Sequence, residues 1–388
     1  MGYLTKEILD GFDKYKYSAR DTNPLSVYVM SPFWDTVVQY FPKWIAPNLM
    51  TFLGFLLTAL NFVMLSYYDW NFYAETDNES SPSIPRWFWL FAAVNIFLAY
   101  TLDGIDGKQA RRINLSGPLG ELFDHGLDSY SASLIPVCLY SVFGRGAQYS
   151  VEPMRFYYVV LMILVNFHIS HWEKYNTGVL FLPWGYDFAM WGSTLMYLAT
   201  YFFGSGIYHI PLTPNGLTCG HFLEYVLHIS ALSNIPMVFY NLYRSYADKT
   251  GKMRTFTECV RPLVPLAIFI AISLLWAHYS PNNIVYNDPR AVYLLTGTIF
   301  SNISCRLIVA QMSNTRCEAM NWTTPYLILA FLGSILMPRL ERIFLYGMLI
   351  LSTLTHWHYG TVVVQQMCEH FNRICFGVTL RTKKNDVD

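Results

Sequence analysis

The chain has 388 residues, of which 53% are hydrophobic, 17% aromatic and 13% charged, with a net charge of zero. A water-soluble domain carries about 25% charged residues, so this composition, with apolar runs along the whole length, points to an all-α polytopic membrane protein. The neutral balance excludes the basic footprint of a nucleic-acid binder. Seven scattered cysteines with no CxxC pair exclude a cysteine metal site and a disulfide framework.

Met1–Lys16 is polar and charged, so no cleavable signal peptide is visible, and the first membrane helix is expected to act as the targeting signal. Residues 1–47 read as a cytosolic arm ending in a short helix. Within it, Pro32–Pro42 sets Phe33, Trp34, Val37, Val38 and Phe41 on one helical face. That face suits either the membrane interface or packing against the cytosolic ends of a bundle.

Ten membrane segments follow, at about 48–68, 87–105, 120–142, 155–172, 186–204, 220–242, 262–279, 291–312, 323–338 and 341–365. The ninth is short and bounded by proline. Trp, Tyr and Phe crowd the segment ends as an aromatic belt does. The chain divides into the arm (1–47), catalytic transmembrane helices one to six (48–242), a basic cytosolic loop (243–261), helices seven to ten as support or an oligomer surface (262–365), and a cytosolic tail (366–388). With the N-terminus in the cytosol, 19 of the 26 lysines and arginines fall on the cytosolic side and six on the other. This bias predicts N-in, C-in topology. Asn78-Glu79-Ser80 is then a lumenal glycosylation sequon.

Asn48, in Ala46-Pro47-Asn48-Leu49-Met50-Thr51, stands at the cytosolic entrance of the first segment. It fits a contact to a polar ligand, or a plain helix start. The stretch Leu102–Ser129, LDGIDGKQARRINLSGPLGELFDHGLDS, then sets four carboxylates between two apolar runs. Asp103 and Asp106 are spaced i,i+3, and Asp124 and Asp128 i,i+4, so each pair shares a helical face. Gly107, Gly117, Pro118 and Gly120 read as the turn between the two helices. The prediction is a helical hairpin with four aspartates in one pocket. Carboxylates so close together need cations. Hard oxygen ligands on a rigid frame suit Mg²⁺ or Mn²⁺, and four can hold two ions. Gly107 allows close approach of a ligand, and Arg111, one turn on, can grip a phosphate. His125 has the pKa range of a general base, and Glu121, at i−4, can orient it or meet a polar part of a nucleotide.

The spacing Asp-x2-Asp-Gly-x2-Ala-Arg-x8-Gly-x3-Asp-x3-Asp, from Asp103 to Asp128, resembles the signature of the CDP-alcohol phosphotransferase family, with every position filled. The resemblance implies that fold, with Asp103, Asp106, Asp124 and Asp128 as metal ligands and Gly107 and Arg111 as CDP-binding positions. The FDHG wording, Phe123–Gly126, and the PNxxT element resemble the eukaryotic choline/ethanolamine branch, where the histidine is thought to accept the proton. In the wider family the last aspartate takes that role, so Asp128 stands as the alternative to His125. Phe12–Ala19, Asp21–Ser26 and His171–Asp187 look like the ethanolaminephosphotransferase branch, of the selenoprotein I type. That type has a selenocysteine near its C-terminus in vertebrates, whereas Arg381–Asp388 has none. The implied reaction uses CDP-ethanolamine and diacylglycerol and yields phosphatidylethanolamine and CMP. It is set in an endoplasmic reticulum or Golgi membrane, in a homodimer with its site facing the cytosol. The near rival is a choline or dual choline/ethanolamine enzyme. A rival of another class is a divalent-cation or nucleotide transporter, whose site would lie near the midplane on interrupted helices.

Beyond the motif, residues 171–187, HWEKYNTGVLFLPWGYD, place His171, Glu173, Lys174 and Asp187 beside Trp172, Tyr175, Trp184 and Tyr186. Such a mixture fits ammonium recognition or an interfacial belt. Glu224 and His228, spaced i,i+4 inside the sixth segment, are a second ionisable pair and hence either a functional site or a local structural pair. Asn302, Ser304 and Arg306 in the eighth segment read as structural polar contacts.

Overall fold

A computed structural model describes residues 2–74, 83–182 and 184–379. The sequon at 78–80 and residues 381–388 lie outside the described residues. A helix α1 (Lys6–Asp13) and a strand β1 (Ala19–Arg20) precede α2 (Ser31–Tyr40), α3 (Pro47–Tyr68), α4 (Arg86–Arg112), α5 (Pro118–Phe143) and α6 (Pro153–Thr177). Strand β2 (Leu180–Phe181) leads to α7 (Gly185–Phe203), α8 (Cys219–Ala247), the short α9 (Phe256–Val260), α10 (Leu263–Tyr279) and the short α11 (Ile284–Asn287). The chain then forms α12 (Pro289–Ser313), α13 (Thr323–Leu336) and α14 (Glu341–His370). Proline opens α3, α5, α6 and α12, where its missing N–H costs nothing. Gly178, left-handed at φ 81°, closes α6.

All ten expected membrane segments are helices. Five of them, α3, α4, α6, α8 and α12, are each long and apolar enough to cross a membrane by length and composition. Helices α10 and α13 are apolar but shorter. The expected ninth segment, 323–338, ends at Leu336 after 14 residues. It is about 21 Å long, short of a bilayer core of about 30 Å. Pro338 stops it and opens a 3₁₀ turn, Pro338–Leu340.

Helix α4 packs between α3 and α7, and α12 runs against α5, α6 and α14. The apolar window of α12 is 89% buried inside the protein and that of α8 only 17%, so α12 is the central post and α8 an outer helix. Small groups let α12 approach α5. Gly297 faces Ser133, Ser301 and Ser129 are hydrogen-bonded at 2.6 Å, and Thr298 and Tyr130 at 2.9 Å.

The N-terminal arm is docked along its length. Gly11 of α1 lies so close to the Ser313 backbone that an added Cβ would sit 2.1 Å from its carbonyl oxygen. Strand β1 pairs in parallel with β2, Ala19 opposite Leu180 and Arg20 opposite Phe181. Of the two readings for the amphipathic helix, packing on the bundle accounts for its core-facing side: Trp34 and Val38 of α2 are buried. Trp34 lies on Gly104 of α4, where an added Cβ would meet its ring at 2.1 Å.

Candidate active site

The site forms where α4 ends and α5 begins. The expected turn is narrower than the glycines suggested, because Gly107 lies within α4 and Gly120 within α5. The guanidinium of Arg112 takes the carbonyls of Val38 at 2.9 Å and Phe41 at 2.6 Å, and Gln109 takes those of Pro42 and Ile45. These bonds hold the end of α4, which runs about two turns past the apolar run. The chain then reverses through Asn114, left-handed at φ 57°, and Pro118 restarts the helix.

This hairpin brings Asp103, Asp106 and Asp124 together, with a carboxylate oxygen from each lying within 4.8 Å of the others. Asp128, one turn further along α5, stands outside this tight group, although the charges of Asp103 and Asp106 bear on it. Two of the carboxylates are oriented by hydroxyl donors. The Thr51 hydroxyl donates to Asp106, and the Tyr186 hydroxyl donates to Asp103 at 2.8 Å. Asp124 keeps one oxygen buried with no hydrogen-bond partner among the described residues. Three clustered hard oxygen donors, one of them unpartnered in the interior, fit a divalent cation.

His125 is buried beside them. Its Nε2 lies 3.7 Å from Asp124 and its Nδ1 3.8 Å from Glu121, both beyond hydrogen-bond reach, and its ring packs edge-on against His171 at 5.2 Å. Glu121 is engaged instead by two groups that sequence spacing did not pair with it. Lys174 forms a buried ion pair with its Oε1, and the Tyr15 hydroxyl donates to the same oxygen at 2.7 Å. The rings of Tyr15 and Tyr17 flank the Lys174 ammonium at 5.6 and 4.9 Å.

Arg111 is exposed and makes no hydrogen bond among the described residues, in contrast to Arg112. A Cβ added at Gly107 would meet only the Arg111 guanidinium, at 3.7 Å, so that face is open. Asn48 donates its amide to the Cys375 carbonyl at 3.1 Å, and its Oδ1 faces Gly120.

The 171–187 segment divides in two. Tyr186 and Lys174 reach the site, whereas Trp172 donates to the Cys259 carbonyl at 2.6 Å and Tyr175 supports Arg254, both away from it. Asp187 is buried and receives hydrogen bonds from Tyr100 and from Asn23, the latter at 2.5 Å. Glu224 and His228 do not form a side-chain pair. Glu224 binds Arg155 through two bonds of 3.1 and 2.5 Å, and His228 donates to the Glu224 backbone carbonyl at 2.8 Å. Asn302, Ser304 and Arg306 make structural contacts with Asn321, His168 and Glu318. Of the residues that sequence reasoning missed, Thr51 had a signal, since it closes the PNxxT element. Tyr15 had none.

Comparison with known proteins follows the same lines. A family model described as CDP-alcohol phosphatidyltransferase matches residues 44–202. Ethanolaminephosphotransferase 1 of Mus musculus is 44% identical over 99% of this chain and 96% of its own length. The Homo sapiens protein of the same name gives the same identity and coverage. Choline/ethanolaminephosphotransferase 2 of Arabidopsis thaliana is 30% identical over 98% of this chain and 99% of its own.

Proposed function

The chain belongs to the CDP-alcohol phosphotransferase family, and on that premise we propose that it transfers phosphoethanolamine from CDP-ethanolamine to diacylglycerol. The products are phosphatidylethanolamine, which stays in the bilayer, and CMP. The 44% identity to ethanolaminephosphotransferases along nearly the whole chain supports the headgroup. The carboxylate group of Asp103, Asp106 and Asp124 supports the chemistry.

In this reading Asp103, Asp106, Asp124 and Asp128 hold two Mg²⁺ or Mn²⁺ ions. Such ions would supply charge neutralisation for a diphosphate and for the leaving nucleotide. The open face at Gly107 admits the nucleotide, and Arg111 grips a phosphate as a two-pronged donor. Asn48 retains Oδ1 for a donor on the cytidine or ribose. His125 takes the proton of the diacylglycerol hydroxyl, whose oxygen then bonds to the β-phosphorus as the bond to CMP breaks. Asp128 is the alternative acceptor. Glu121, held by Lys174 and Tyr15, sets the wall against which the imidazole packs. The site faces the cytosol of an endoplasmic reticulum or Golgi membrane, with both termini on that side, and the protein works as a homodimer.

The test is CMP release by purified protein in nanodiscs with diacylglycerol and Mg²⁺ or Mn²⁺, offering CDP-ethanolamine and CDP-choline separately. Release with CDP-ethanolamine alone is expected. Release with both would move the assignment to the dual-specificity branch, to which the Arabidopsis relative belongs by name. No release with either, beside an active control, would overturn the reaction. Metal-stimulated flux without CMP would favour a transporter.

A further inference from the structure

The N-terminal arm reaches the edge of the carboxylate site, and one of its hydroxyls has no hydrogen-bond partner there among the described residues. Tyr15 is committed to Glu121. Tyr17, two residues on, makes no hydrogen bond through its hydroxyl among the described residues. Its ring rests on the Lys174 ammonium at 4.9 Å. The hydroxyl lies within electrostatic reach of Glu121, Asp124, Arg111 and Asp106, which come from α4 and α5. Tyr17 is 54% exposed to solvent, yet burial among surrounding protein, and then the negative charge of Glu121, push its phenol well above the usual tyrosine range. A phenol that keeps its proton is a hydrogen-bond donor.

Beside the cluster of carboxylates stand two exposed donors without a hydrogen-bond partner among the described residues, the Arg111 guanidinium and the Tyr17 hydroxyl, on separate elements. Donors alone at the rim of a cation site fit a phosphate whose other oxygens face the cations. The arm is fixed well enough to place one of them. Strand β1 begins two residues after Tyr17 and is paired to β2, and α1 is pressed to α12.

We propose that Tyr17 is a substrate-binding residue, whose hydroxyl donates to a phosphate oxygen of the nucleotide diphosphate on the side facing Arg111. The inference rests on the assignment of a CDP-alcohol substrate. It adds a residue from outside the hairpin, carried by the arm.

The test is Tyr17→Phe in the full-length protein, which keeps the ring over Lys174 and removes only the donor. Binding of CDP in Mg²⁺, measured by calorimetry, is expected to weaken about tenfold, as loss of a hydrogen bond to a charged group implies. In turnover, KM for CDP-ethanolamine rises by a similar factor, kcat stays within about twofold, and KM for diacylglycerol is unchanged. A general loosening of the arm would instead move both substrates and kcat. That result, or CDP affinity equal to wild type, overturns the proposal. If wild type binds CDP but releases no CMP from CDP-ethanolamine, the reaction assignment fails while the CDP comparison still decides Tyr17. Wild type that binds no CDP would overturn both.

Discussion

Removing the ammonium of Lys174 should be costly out of proportion to the size of the change. Lys174→Met keeps most of the stem volume and deletes the charge. The side chains of Lys174 and Glu121 are only 2% and 6% exposed. After the substitution Glu121 stays buried with one neutral donor, Tyr15, and its Oε2, already without a partner, gains none. Breaking a buried pair on one side costs about 3–5 kcal/mol, whereas removing both charges is often close to neutral. Glu121→Gln should be costly in the same way, because it strands Lys174 between two tyrosine rings. The double variant Lys174→Met/Glu121→Gln should therefore recover about 2 kcal/mol or more relative to the sum of the singles. The assay is a double-mutant cycle on thermal unfolding in one detergent at fixed protein concentration, with CDP absent so that ligand binding does not contribute. Strictly additive singles, or a Lys174→Met midpoint equal to wild type, would refute the buried-pair argument and recast Lys174 as solvent-screened.

Asp103→Ala and Asp128→Ala should each abolish CMP release, and Asp103→Ala should also lose the thermal stabilisation that Mg²⁺ gives wild type; near-normal turnover in either variant would sink the metal assignment. His125→Ala should lower turnover while leaving metal-dependent CDP binding largely intact, and loss of binding would recast His125 as structural. Gly104→Ala gains about 1 kcal/mol of helix propensity but drives a methyl into the Trp34 ring, a collision of about 1–3 kcal/mol. The expected net loss of thermal stability should be relieved by Trp34→Leu in the same chain, and persistent loss in the double variant would show that the ring is not the obstacle. At the far end of α3, burial holds Asp69 up at about 6, against the opposing pull of the Ala74 N–H and Arg290. A carboxyl raised in the folded state costs stability as pH climbs from about 4 to about 6, by about 3 kcal/mol when complete. Asp69→Asn should therefore gain on wild type across that window and hold the gain at neutral pH; a flat difference between the two pH curves would rule the mechanism out.

The approach of Asp103, Asp106 and Asp124 was legible because helical spacing is local, whereas Asp128, expected in the same pocket, stands outside their group. An i,i+3 or i,i+4 rule needs only that the segment be helical, and the apolar runs on either side ensured it. The ten segments were legible for the same reason, apart from the length of α13, which a proline two residues after Leu336 cuts short. Contacts without sequence proximity were not legible. Lys174 stands 53 positions from Glu121, and nothing in either local pattern pairs them. Trp34 likewise packs on Gly104 of α4, and nothing in either local pattern pairs them. The Glu224–His228 spacing was sound helical geometry, but Arg155 of another helix offered the carboxylate a full charge and two bonds. Likewise, the turn glycines suggested a wide reversal until Arg112 and Gln109, bonded to carbonyls at and after the end of α2, carried α4 further.

The docking of α1 on α12 has a consequence for how the protein is made. Gly11 is synthesised 302 residues before its contact, Ser313. At about 5–20 residues per second, the arm waits roughly 15–60 s before its final seat exists. The partner strand at Leu180–Phe181 emerges sooner, so β1 can engage α6 and α7 while the later helices are still being inserted. The aspartate hairpin is thus made well before the arm can be fully fastened, which waits for residue 313. A nascent chain stalled before residue 313 would carry the carboxylates with an unseated arm, and a bulky fusion at the N-terminus would act chiefly by delaying that last step.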